Sequence, residues 1–449
     1  MRQNKLFKVL CFVLALVLVM MSSVANGDVE AKSTKSVSLK TLCSKRALTL
    51  KSMPSGSIHS IIKKYKGKKV TTHTIQNFSY TPDQKYIFTV GECNTGSQVH
   101  TLLTVSTIKK GFGDKCKSTC IDAKVLGKYG HGDAIAITEV AEKSEKASAE
   151  AGGVVEAEVA GDEAEVVCDE AEVTTEEATT EAGSEETTEA ATEAATEEST
   201  EETAPKKSKD IYNVWVASAA GSNGFGTCID RLTIEIKNNK MVIKKKVRIK
   251  NFKKANVIKG KAAFYAEKQD VKRMNVAADQ SNNQIIFRIE TSTEINYVAY
   301  DLKKLDKALD KVKNSGKYDI AKAAKMQLAN VRCNVVPRSV FQSFRVHNNT
   351  IYICGGYFNN GAEINAVKYK VYKPGKSVEQ DKKFSENVSR VIRLPDTIKI
   401  GKRSFKKQNV EVEGMDFVVN EKGKIDVHIN YYARGVDIRD GITIFRFGL

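Results

Sequence analysis

Two short aromatic clusters are the part of this sequence best suited to bind a ligand. Each follows a strand-like run and lies at the start of a loop. Sugar rings stack on aromatic side chains, while amide and guanidinium groups supply directional hydrogen bonds. The candidate ligand-binding residues of these clusters are Tyr357, Phe358, Asn359, Tyr431, Tyr432 and Arg434. Ordinary packing within a β-sheet is the alternative interpretation of the same residues.

His131 is a further candidate, because it lies between Gly130 and Gly132 directly before a strand-like run. Glycine lets the backbone approach a neighbouring strand closely, so the imidazole ring is able to point into a cavity. A histidine that only caps the edge of a sheet is the alternative. The six histidines are scattered without metal-ligand spacing, so the sequence predicts no metal site.

Motifs for covalent or hydrolytic chemistry are absent from the sequence. We find no G-x-S-x-G, no H-E-x-x-H, no phosphate-binding loop and no dinucleotide fingerprint. Asp133, Glu290 and Glu413 recur at related places and could line a channel as in propeller glycosidases, but the sequence reveals no matched second carboxylate. The sequence therefore predicts a binding protein and not an enzyme, with no catalytic residue and no cofactor.

Strand signals dominate the chain on both sides of an acidic segment. Short runs rich in β-branched and aromatic residues, such as 86–90 and 285–289, are bounded by turn-forming residues. Asparagine pairs such as Asn282-Asn283 separate successive runs, as expected for hairpins. Only 302–312 and 319–328 are predicted to be helical.

The strand-like runs recur as a three-strand unit. Each copy has a first strand with Phe or Met near its start, a polar turn, a strong Ile/Tyr/Phe strand, a Gly/Asn-rich loop and a third strand. Four copies begin near Gln76, Arg273, Gln342 and Glu413, and a fifth copy is interrupted. A repeat of this size buries its faces only against its neighbours. We therefore predict an all-β fold of the β-propeller type with about five blades.

The interruption is a Thr/Glu/Ala-rich segment at 139–209. Between Glu139 and Glu202 there are 23 acidic residues, two lysines and no aromatic residue. Such a composition cannot bury enough apolar surface to offset the entropy of the chain, so we predict a disordered acidic insertion.

The insertion divides the predicted propeller into two parts, 44–138 and 210–449. We predict that the runs at 132–137 and 211–216 are the first two strands of one blade. The entropy of loop closure grows only logarithmically with length, so a hairpin can tolerate a long loop. Two separate domains joined by a linker are the alternative.

The N-terminus has the pattern of a secretory signal peptide. Basic residues precede a run of thirteen apolar residues at 9–21, and small residues follow up to Ala25. A membrane-spanning helix needs roughly twenty apolar residues, so this length favours cleavage over an uncleaved anchor, which is the alternative. We predict a signal peptide at 1–25, an N-terminal extension at 26–43 and a secreted protein, extracellular or associated with the cell wall. Export permits disulfides among the eight later cysteines, although the sequence does not fix their pairing.

The formal net charge of +17 combines two opposed segments. The chain has 71 basic and 54 acidic residues, of which the insertion holds two and 23. The rest therefore has 69 basic and 31 acidic residues, a net charge of +38. A cationic protein outside a cell attracts anionic polymers such as teichoic acids or acidic glycans. Lysine also keeps β-sheet surfaces soluble and protects edge strands, which is the alternative explanation.

Several segments of the sequence form a recognisable series: YGHGDAIAI, NVWVAS with TCIDRLTI, DLKKLDKALD, QSFRVHNNTIYICGG, and EGMDFVV with IDVHINYY. Together they resemble the helveticin-J family of large, heat-labile bacteriocins. In this order they extend from about Thr74 to Leu449, and the acidic insertion departs from the family pattern. The resemblance implies a secreted, propeller-like protein that kills related bacteria and has no assigned catalytic site.

Together these features predict a secreted, helveticin-J-like antibacterial protein that binds anionic cell-wall polymers of target bacteria. We expect a monomer without a stable membrane anchor and without nucleic acid as its physiological partner. The alternative is a non-toxic, adhesin-like propeller that binds surface glycans of bacteria. Sugar binding that resists salt would favour the alternative, whereas salt-sensitive binding to teichoic acid would favour the first.

Overall fold

The computed structural model describes residues 36–38, 64–95, 98–109, 112, 117–140, 210–255, 257–258, 261–262, 270–375, 388–400, 403–419, 424–434 and 444–448. The predicted signal peptide, most of the extension at 26–43 and the acidic insertion beyond Val140 lie outside these residues. Within the described ranges, no helix has both the length and the apolar character needed to cross a membrane.

Strands make up most of the described chain. The first thirteen are β1 (Ser36–Ser38), β2 (Lys64–Tyr65), β3 (Lys68–Tyr80), β4 (Tyr86–Thr95), β5 (Gln98–Lys109), β6 (Lys117–Val125), β7 (Ile135–Glu139), β8 (Ile211–Ala220), β9 (Gly226–Lys237), β10 (Lys240–Lys250), β11 (Val257–Ile258), β12 (Lys261–Ala262) and β13 (Arg273–Asp279). The next thirteen are β14 (Gln284–Glu290), β15 (Ile295–Asp301), β16 (Gly316–Asp319), β17 (Gln327–Arg332), β18 (Phe341–His347), β19 (Thr350–Tyr357), β20 (Gly361–Lys368), β21 (Val388–Arg393), β22 (Thr397–Ile400), β23 (Arg403–Lys406), β24 (Val410–Val419), β25 (Ile425–Ala433) and β26 (Ile444–Gly448). The helical elements are the α-helix α1 (Leu302–Asp310) and the 3₁₀ helices Phe252–Lys254, Gln280–Asn282, Ile320–Met326, Pro337–Ser339 and Lys407–Asn409.

Five sheets form the blades of a β-propeller. From the inner to the outer strand, blade 1 is β3-β4-β5-β6, blade 2 is β7-β8-β9-β10-β16, blade 3 is β13-β14-β15-β17, blade 4 is β18-β19-β20-β21-β1 and blade 5 is β24-β25-β26. The first strands pack against one another in the order β3, β7, β13, β18 and β24, and β24 returns to β3. The predicted β-propeller fold with about five blades is therefore confirmed.

Each blade is buried between its neighbours on both faces, and β14 in blade 3 illustrates why the sequence forms such strands. Phe287 faces the core that it shares with Trp215 of blade 2, whereas Ile286 faces the core that it shares with Phe344 of blade 4. Successive strand residues point to opposite faces, so a strand between two cores is apolar on both. Asn283, with φ of 55°, forms the left-handed turn that starts the strand.

The strands on either side of the acidic segment are neighbours in blade 2. β7 and β8 pair antiparallel, with Glu139 opposite Tyr212 at the end of β7. The described residues before the acidic segment and those after it belong to one compact unit. The first strands of blades 1 and 2 precede the acidic segment, and those of blades 3, 4 and 5 follow it.

The two predicted helices differ in outcome. The helix expected at 302–312 is present as α1, and the Asp301 carboxylate accepts a hydrogen bond from the backbone N–H of Lys304 at its start. The segment expected to be helical at 319–328 forms the 3₁₀ helix Ile320–Met326 and ends two residues earlier than expected. The chain leaves the helix there because Gln327 pairs with Tyr300 in the sheet of blade 3.

The five cysteines within the described residues are free thiols: Cys93, Cys120, Cys228, Cys333 and Cys354. Burial raises the pKa of Cys93 and of Cys120 to about 11. Because the thiolate is the reactive form, these two residues are expected to be inert. The remaining cysteines lie outside the described ranges.

Candidate ligand-binding site

A cavity of about 460 Å³ opens where the first strands of the blades begin. Its lining residues are Gln76, His131, Phe225, Arg273, Val340, Phe341, Gln342, Tyr357, Glu411, Glu413 and Tyr432. Because these residues come from all five blades, the cavity lies on the propeller axis, and we call it the axial pocket. Its volume is in the range of pockets that hold small molecules.

Three of the polar lining residues are placed by β-bulges at equivalent positions of their blades. The pairing of β3 with β4 skips Gln76, that of β18 with β19 skips Gln342, and that of β24 with β25 skips Glu413. A bulge inserts one extra residue and re-aims its side chain. The bulges thus account for three polar groups from blades 1, 4 and 5 at the pocket.

The two glycines around His131 allow its loop to pack tightly against blades 1 and 2. Gly130 and Gly132 have φ of +99° and +79°, which favour glycine. A Cβ atom at Gly130 would lie 2.6 Å from the backbone nitrogen of Gly226, and one at Gly132 would lie 3.0 Å from that of Gly91. Side chains at these positions would therefore displace the loop that carries His131.

His131 lines the axial pocket as one half of an ion pair. Its Nδ1 lies 2.6 Å from Oε1 of Glu92, and its ring packs edge-on against Phe225 at 5.4 Å between centroids. Burial lowers the pKa of His131, but the hydrogen bond and charge of Glu92 outweigh burial and leave the pKa above its usual value. The pair with Glu92 therefore favours the protonated form of the His131 ring.

The predicted aromatic clusters contribute one tyrosine each to the axial pocket. Tyr357 is 45% exposed, and Tyr432 is half-buried. Phe358 is buried behind them, with its ring 6.0 Å from that of Tyr432 and 4.9 Å from that of Tyr357. The guanidinium of Arg434 lies over the ring of Phe358, 3.9 Å from its centroid. Phe358 and Arg434 thus support the two tyrosines and do not line the pocket.

Two predicted residues lie elsewhere. Tyr431 is buried in the core between blades 4 and 5, with its ring 5.3 Å from that of Phe445. Asn359 occupies the turn between β19 and β20 with φ of +74°, and its backbone N–H donates to the carbonyl of Lys407 at 3.1 Å. Hence the structure brings His131, Tyr357 and Tyr432 together and leaves Phe358, Asn359, Tyr431 and Arg434 outside the pocket wall.

Of the three acids that sequence analysis placed near a channel, only Glu413 lines the pocket. Asp133 is bound by Arg273, whose Nε lies 2.5 Å from Oδ2. Glu290 is bound by Arg288 at 2.7 Å. Glu411, two residues before Glu413 on β24, is the second pocket carboxylate that sequence analysis missed. The sequence signal that could have identified Glu411 is its position on the same strand as Glu413.

Arg273 forms part of the wall with two phenylalanines. Its guanidinium carbon lies 4.3 Å from the ring centroid of Phe225 and 4.9 Å from that of Phe341. Stacking on aromatic faces stabilises a cation by roughly 0.5–2 kcal/mol. Since Asp133 also balances its charge, Arg273 is held as a structural part of the wall. Phe225, Arg273 and Phe341 come from three separate loops or strand starts, so no local sequence signal joins them.

Both pocket carboxyls of blade 5 have raised pKa values. Burial, followed by the charges of Glu411 and Glu92, raises the pKa of Glu413 well above its usual value. Burial also raises the pKa of Glu411 to about 7, although a hydrogen bond from Gln342 and the charges of His131 and Arg434 oppose the change. In the part of the chain that the structure describes, no cluster of three or more His, Cys, Asp or Glu side chains has a metal-binding arrangement.

Comparisons with known proteins were made for the whole chain. No family model and no curated protein matches it. A solved structure from a study of two prolyl endopeptidases aligns with 82% of this chain and 46% of its own chain, with 8% sequence identity and a TM-score of 0.20. This chain thus covers about half the length of that structure. A likeness of this level carries no argument about fold or function.

Proposed function

We propose that this protein is a secreted, surface glycan-binding propeller that holds a sugar of a bacterial surface in the axial pocket. The observation that carries the proposal is the composition of that pocket. Tyr357 and Tyr432 offer aromatic surface beside the hydrogen-bonding groups of Gln76, Gln342 and Glu413. Carbohydrates present apolar ring faces and polar hydroxyl edges, and such a wall complements both.

The neighbouring contacts support a preformed site. Gln342 Nε2 donates to Oε1 of Glu411 at 2.6 Å and to the carbonyl of Gly356 at 3.4 Å. The packing of Phe358 against Tyr432 limits the rotation of the tyrosine ring. A site whose side chains are already fixed loses less conformational entropy when a ligand binds.

Replacing Tyr432 by alanine is expected to weaken sugar binding roughly tenfold, because an aromatic stacking surface is lost. The mature protein is first applied to a glycan array, and the affinity for the best ligand is then measured by calorimetry in wild type and Tyr432→Ala. Tyr372→Ala is the matched control, since Tyr372 is similarly half-buried but lies away from the pocket lining. The proposal is wrong if no glycan binds, or if both variants weaken binding equally.

A second candidate function is the antibacterial one that the helveticin-J resemblance implies, with binding to anionic cell-wall polymers of target bacteria. It is favoured by a surface that we call the lysine-rich face. The exposed lysines of this face are Lys253, Lys254, Lys303, Lys304, Lys307, Lys311, Lys313, Lys317, Lys322 and Lys325. They lie on α1, in the segment between α1 and β16, on β16 and on the 3₁₀ helices Phe252–Lys254 and Ile320–Met326. The helix Ile320–Met326 packs against α1, β16 and Phe252–Lys254.

Of the lysines on the lysine-rich face, Lys304 pairs with Asp301 at 3.5 Å, whereas the two acids of α1 bind an arginine. Asp306 is buried beside Arg231 at 2.8 Å, and the exposed Asp310 binds the same buried guanidinium at 2.5 Å. Both carboxylates of α1 therefore bind Arg231. Clustered positive charge on one surface attracts an anionic polymer, and salt screens that attraction.

Replacing Lys303, Lys307 and Lys311 by glutamine is expected to lower affinity for walls that carry teichoic acid several-fold at about 50 mM salt, with the difference shrinking as salt rises. Replacing Lys399, Lys406 and Lys424, exposed lysines outside the lysine-rich face, is the control of equal charge. Growth inhibition of Gram-positive indicator strains by the mature protein is measured beside binding. If the protein neither inhibits growth nor binds to protein-stripped walls, this second proposal is wrong.

A further inference from the structure

The charges around the axial pocket do not balance. His131 is paired with Glu92 at 2.6 Å, and Arg273 is paired with Asp133 at 2.5 Å. Glu411 and Glu413 remain, and neither forms an ion pair with a described basic side chain. The exposed Arg434 acts on Glu411 only at a distance, because its guanidinium is stacked on Phe358. The pocket therefore holds two more acidic groups than it holds countercharges.

Of these two carboxyls, Glu413 has fewer hydrogen-bond partners than Glu411. Its side chain lines the cavity, yet only 5% of the residue is exposed. Gln342 gives its amide hydrogens to Glu411 and to Gly356, and no described residue donates a hydrogen bond to the Glu413 carboxyl. A buried carboxyl without a hydrogen-bond donor is poorly solvated in its charged form, so it favours protonation or a cationic partner.

An ammonium group matches this site. It carries three hydrogen-bond donors, so one ammonium can bind the carboxylates of Glu411 and Glu413 together and cancel the repulsion between them. The tyrosine rings beside the carboxyls offer negative π-faces that also attract a cation. A neutral hydroxyl brings no charge, and a phosphate or carboxylate would add to the repulsion.

We propose that the axial pocket selects sugars that carry a free primary amine, with the ammonium held between Glu411 and Glu413. This inference rests on the proposed glycan-binding function and names its ligand class as amino sugars that are not N-acetylated. The two aromatic rings of Tyr357 and Tyr432 then contact the sugar ring. The pocket discriminates by charge, because N-acetylation converts the ammonium into a neutral amide.

Binding of an amine should release protons. The raised pKa values of Glu413 and Glu411, that of Glu411 lying at about 7, favour the protonated forms of both carboxyls. A bound ammonium favours both charged forms, so protons leave as the ligand enters. Affinity should therefore rise as pH increases, until the amine of the ligand loses its own proton.

The test uses oligosaccharides in matched amine and N-acetyl forms, including oligomers of glucosamine and of N-acetylglucosamine. Calorimetry at pH 7 in two buffers of different ionisation enthalpy gives affinity and the number of protons released. For wild type, we expect the amine form to bind about tenfold more tightly and to release protons. Glu413→Gln should bind both forms alike without that release. Glu235→Gln is the control, because Glu235 lies in blade 2 and outside the pocket lining.

The outcomes separate this inference from the proposed function. Equal affinity of wild type for both forms, or amine binding without proton release, would overturn the amine preference and leave glycan binding intact. If no oligosaccharide binds in either its amine or its N-acetyl form, the proposed function itself is wrong. An amine preference that persists in Glu413→Gln and in Glu411→Gln would place the ammonium elsewhere and reject the site. Thermal melts of each variant verify that it is folded.

Discussion

Replacing Asp416 by asparagine is expected to lower the free energy of unfolding by about 3 kcal/mol or more. Asp416 lies on β24, the first strand of blade 5, and is 8% exposed. Its Oδ1 accepts a hydrogen bond from Nε of Arg345 in blade 4 at 2.8 Å, and its Oδ2 accepts one from the backbone N–H of Tyr80 in blade 1 at 2.8 Å. One carboxylate thus joins three blades.

The loss is large because Arg345 cannot reach solvent. Its side chain is 5% exposed, and its other nitrogens donate to the carbonyls of Phe78 and Phe344. Removing the negative charge leaves a buried guanidinium without a countercharge, which costs several kcal/mol. The amide nitrogen of an asparagine would in addition face either the Arg345 or the Tyr80 donor, so one hydrogen bond is lost.

The seam between blades 5 and 1 makes this site critical for the ring. Blade 5 has strands only from 410–448 among the described residues, and no strand of blade 1 joins its sheet. The two blades meet through side chains and close backbone approach instead. Asn430 donates to the carbonyl of Ile75 at 3.0 Å, and a Cβ atom at Gly414 would lie 2.9 Å from Cα of Asn77.

Denaturant unfolding followed by tryptophan fluorescence measures the effect, since Trp215 is the single tryptophan and is fully buried. Glu235→Gln is the control, because its partner Lys244 is 51% exposed and such a pair contributes about 1 kcal/mol or less. An Asp416→Asn protein that fails to fold while the control folds agrees with the expectation. Equal unfolding midpoints of the two variants would contradict it.

The second large effect is a gain of stability that depends on pH. Replacing Glu413 by glutamine is expected to raise the melting temperature at pH 8 by about 2 °C or more, the shift that about 1 kcal/mol produces in a large domain. In the unfolded chain, Glu413 ionises near its usual pKa of 4.5. In the folded protein, burial and the charges of Glu411 and Glu92 keep it protonated to much higher pH.

The sign follows from proton binding in the two states. Above pH 4.5 the unfolded state binds fewer protons at this residue than the folded state, so wild-type stability falls as pH rises. Below pH 4.5 the residue is protonated in both states and has no effect. Glutamine cannot ionise, so it removes the penalty at pH 8 and changes little at pH 4.

Calorimetric melts at pH 4, 6 and 8 test this expectation. Asp83→Asn is a control of opposite sign: burial raises the pKa of Asp83, but hydrogen bonds from Thr81 and Tyr212 outweigh burial and hold it below its usual value. That substitution should destabilise the protein at pH 8. If Glu413→Gln melts at the wild-type temperature at pH 8, the Glu413 carboxyl does not destabilise the folded protein, and the expectation is wrong. A ligand-binding residue that lowers stability is the trade-off expected at a functional site.

Local sequence patterns were sufficient to predict the blades. Runs such as β14 are short, apolar on both faces and bounded by asparagine turns, and these properties depend only on neighbouring residues. The repeat of such runs predicted a propeller, because a small sheet of this kind is buried only between similar sheets. The sequence placed both aromatic clusters at the start of loops, whereas Tyr357 and Tyr432 lie on β19 and β25, the second strands of their blades.

Which residue of each aromatic pair enters the pocket was not determined by the sequence. Tyr431 and Tyr432 are adjacent on β25 and point to opposite faces, whereas Phe358 follows β19 and packs against Tyr357. A strand pattern with aromatic residues on both faces does not indicate which face is the core. Only the packing of blade 5 against blade 4 buries Tyr431 and leaves Tyr432 at the cavity.

The tertiary structure alone decided the polar part of the site and the closure of the ring. Gln76, Gln342 and Glu413 reach the pocket through bulges, which depend on the register of two paired strands. Glu92 and Glu413 are 321 residues apart in the sequence, and their mutual repulsion exists only because β24 returns to β3. Local propensity extends over a few residues, whereas these contacts require all five blades to be in place.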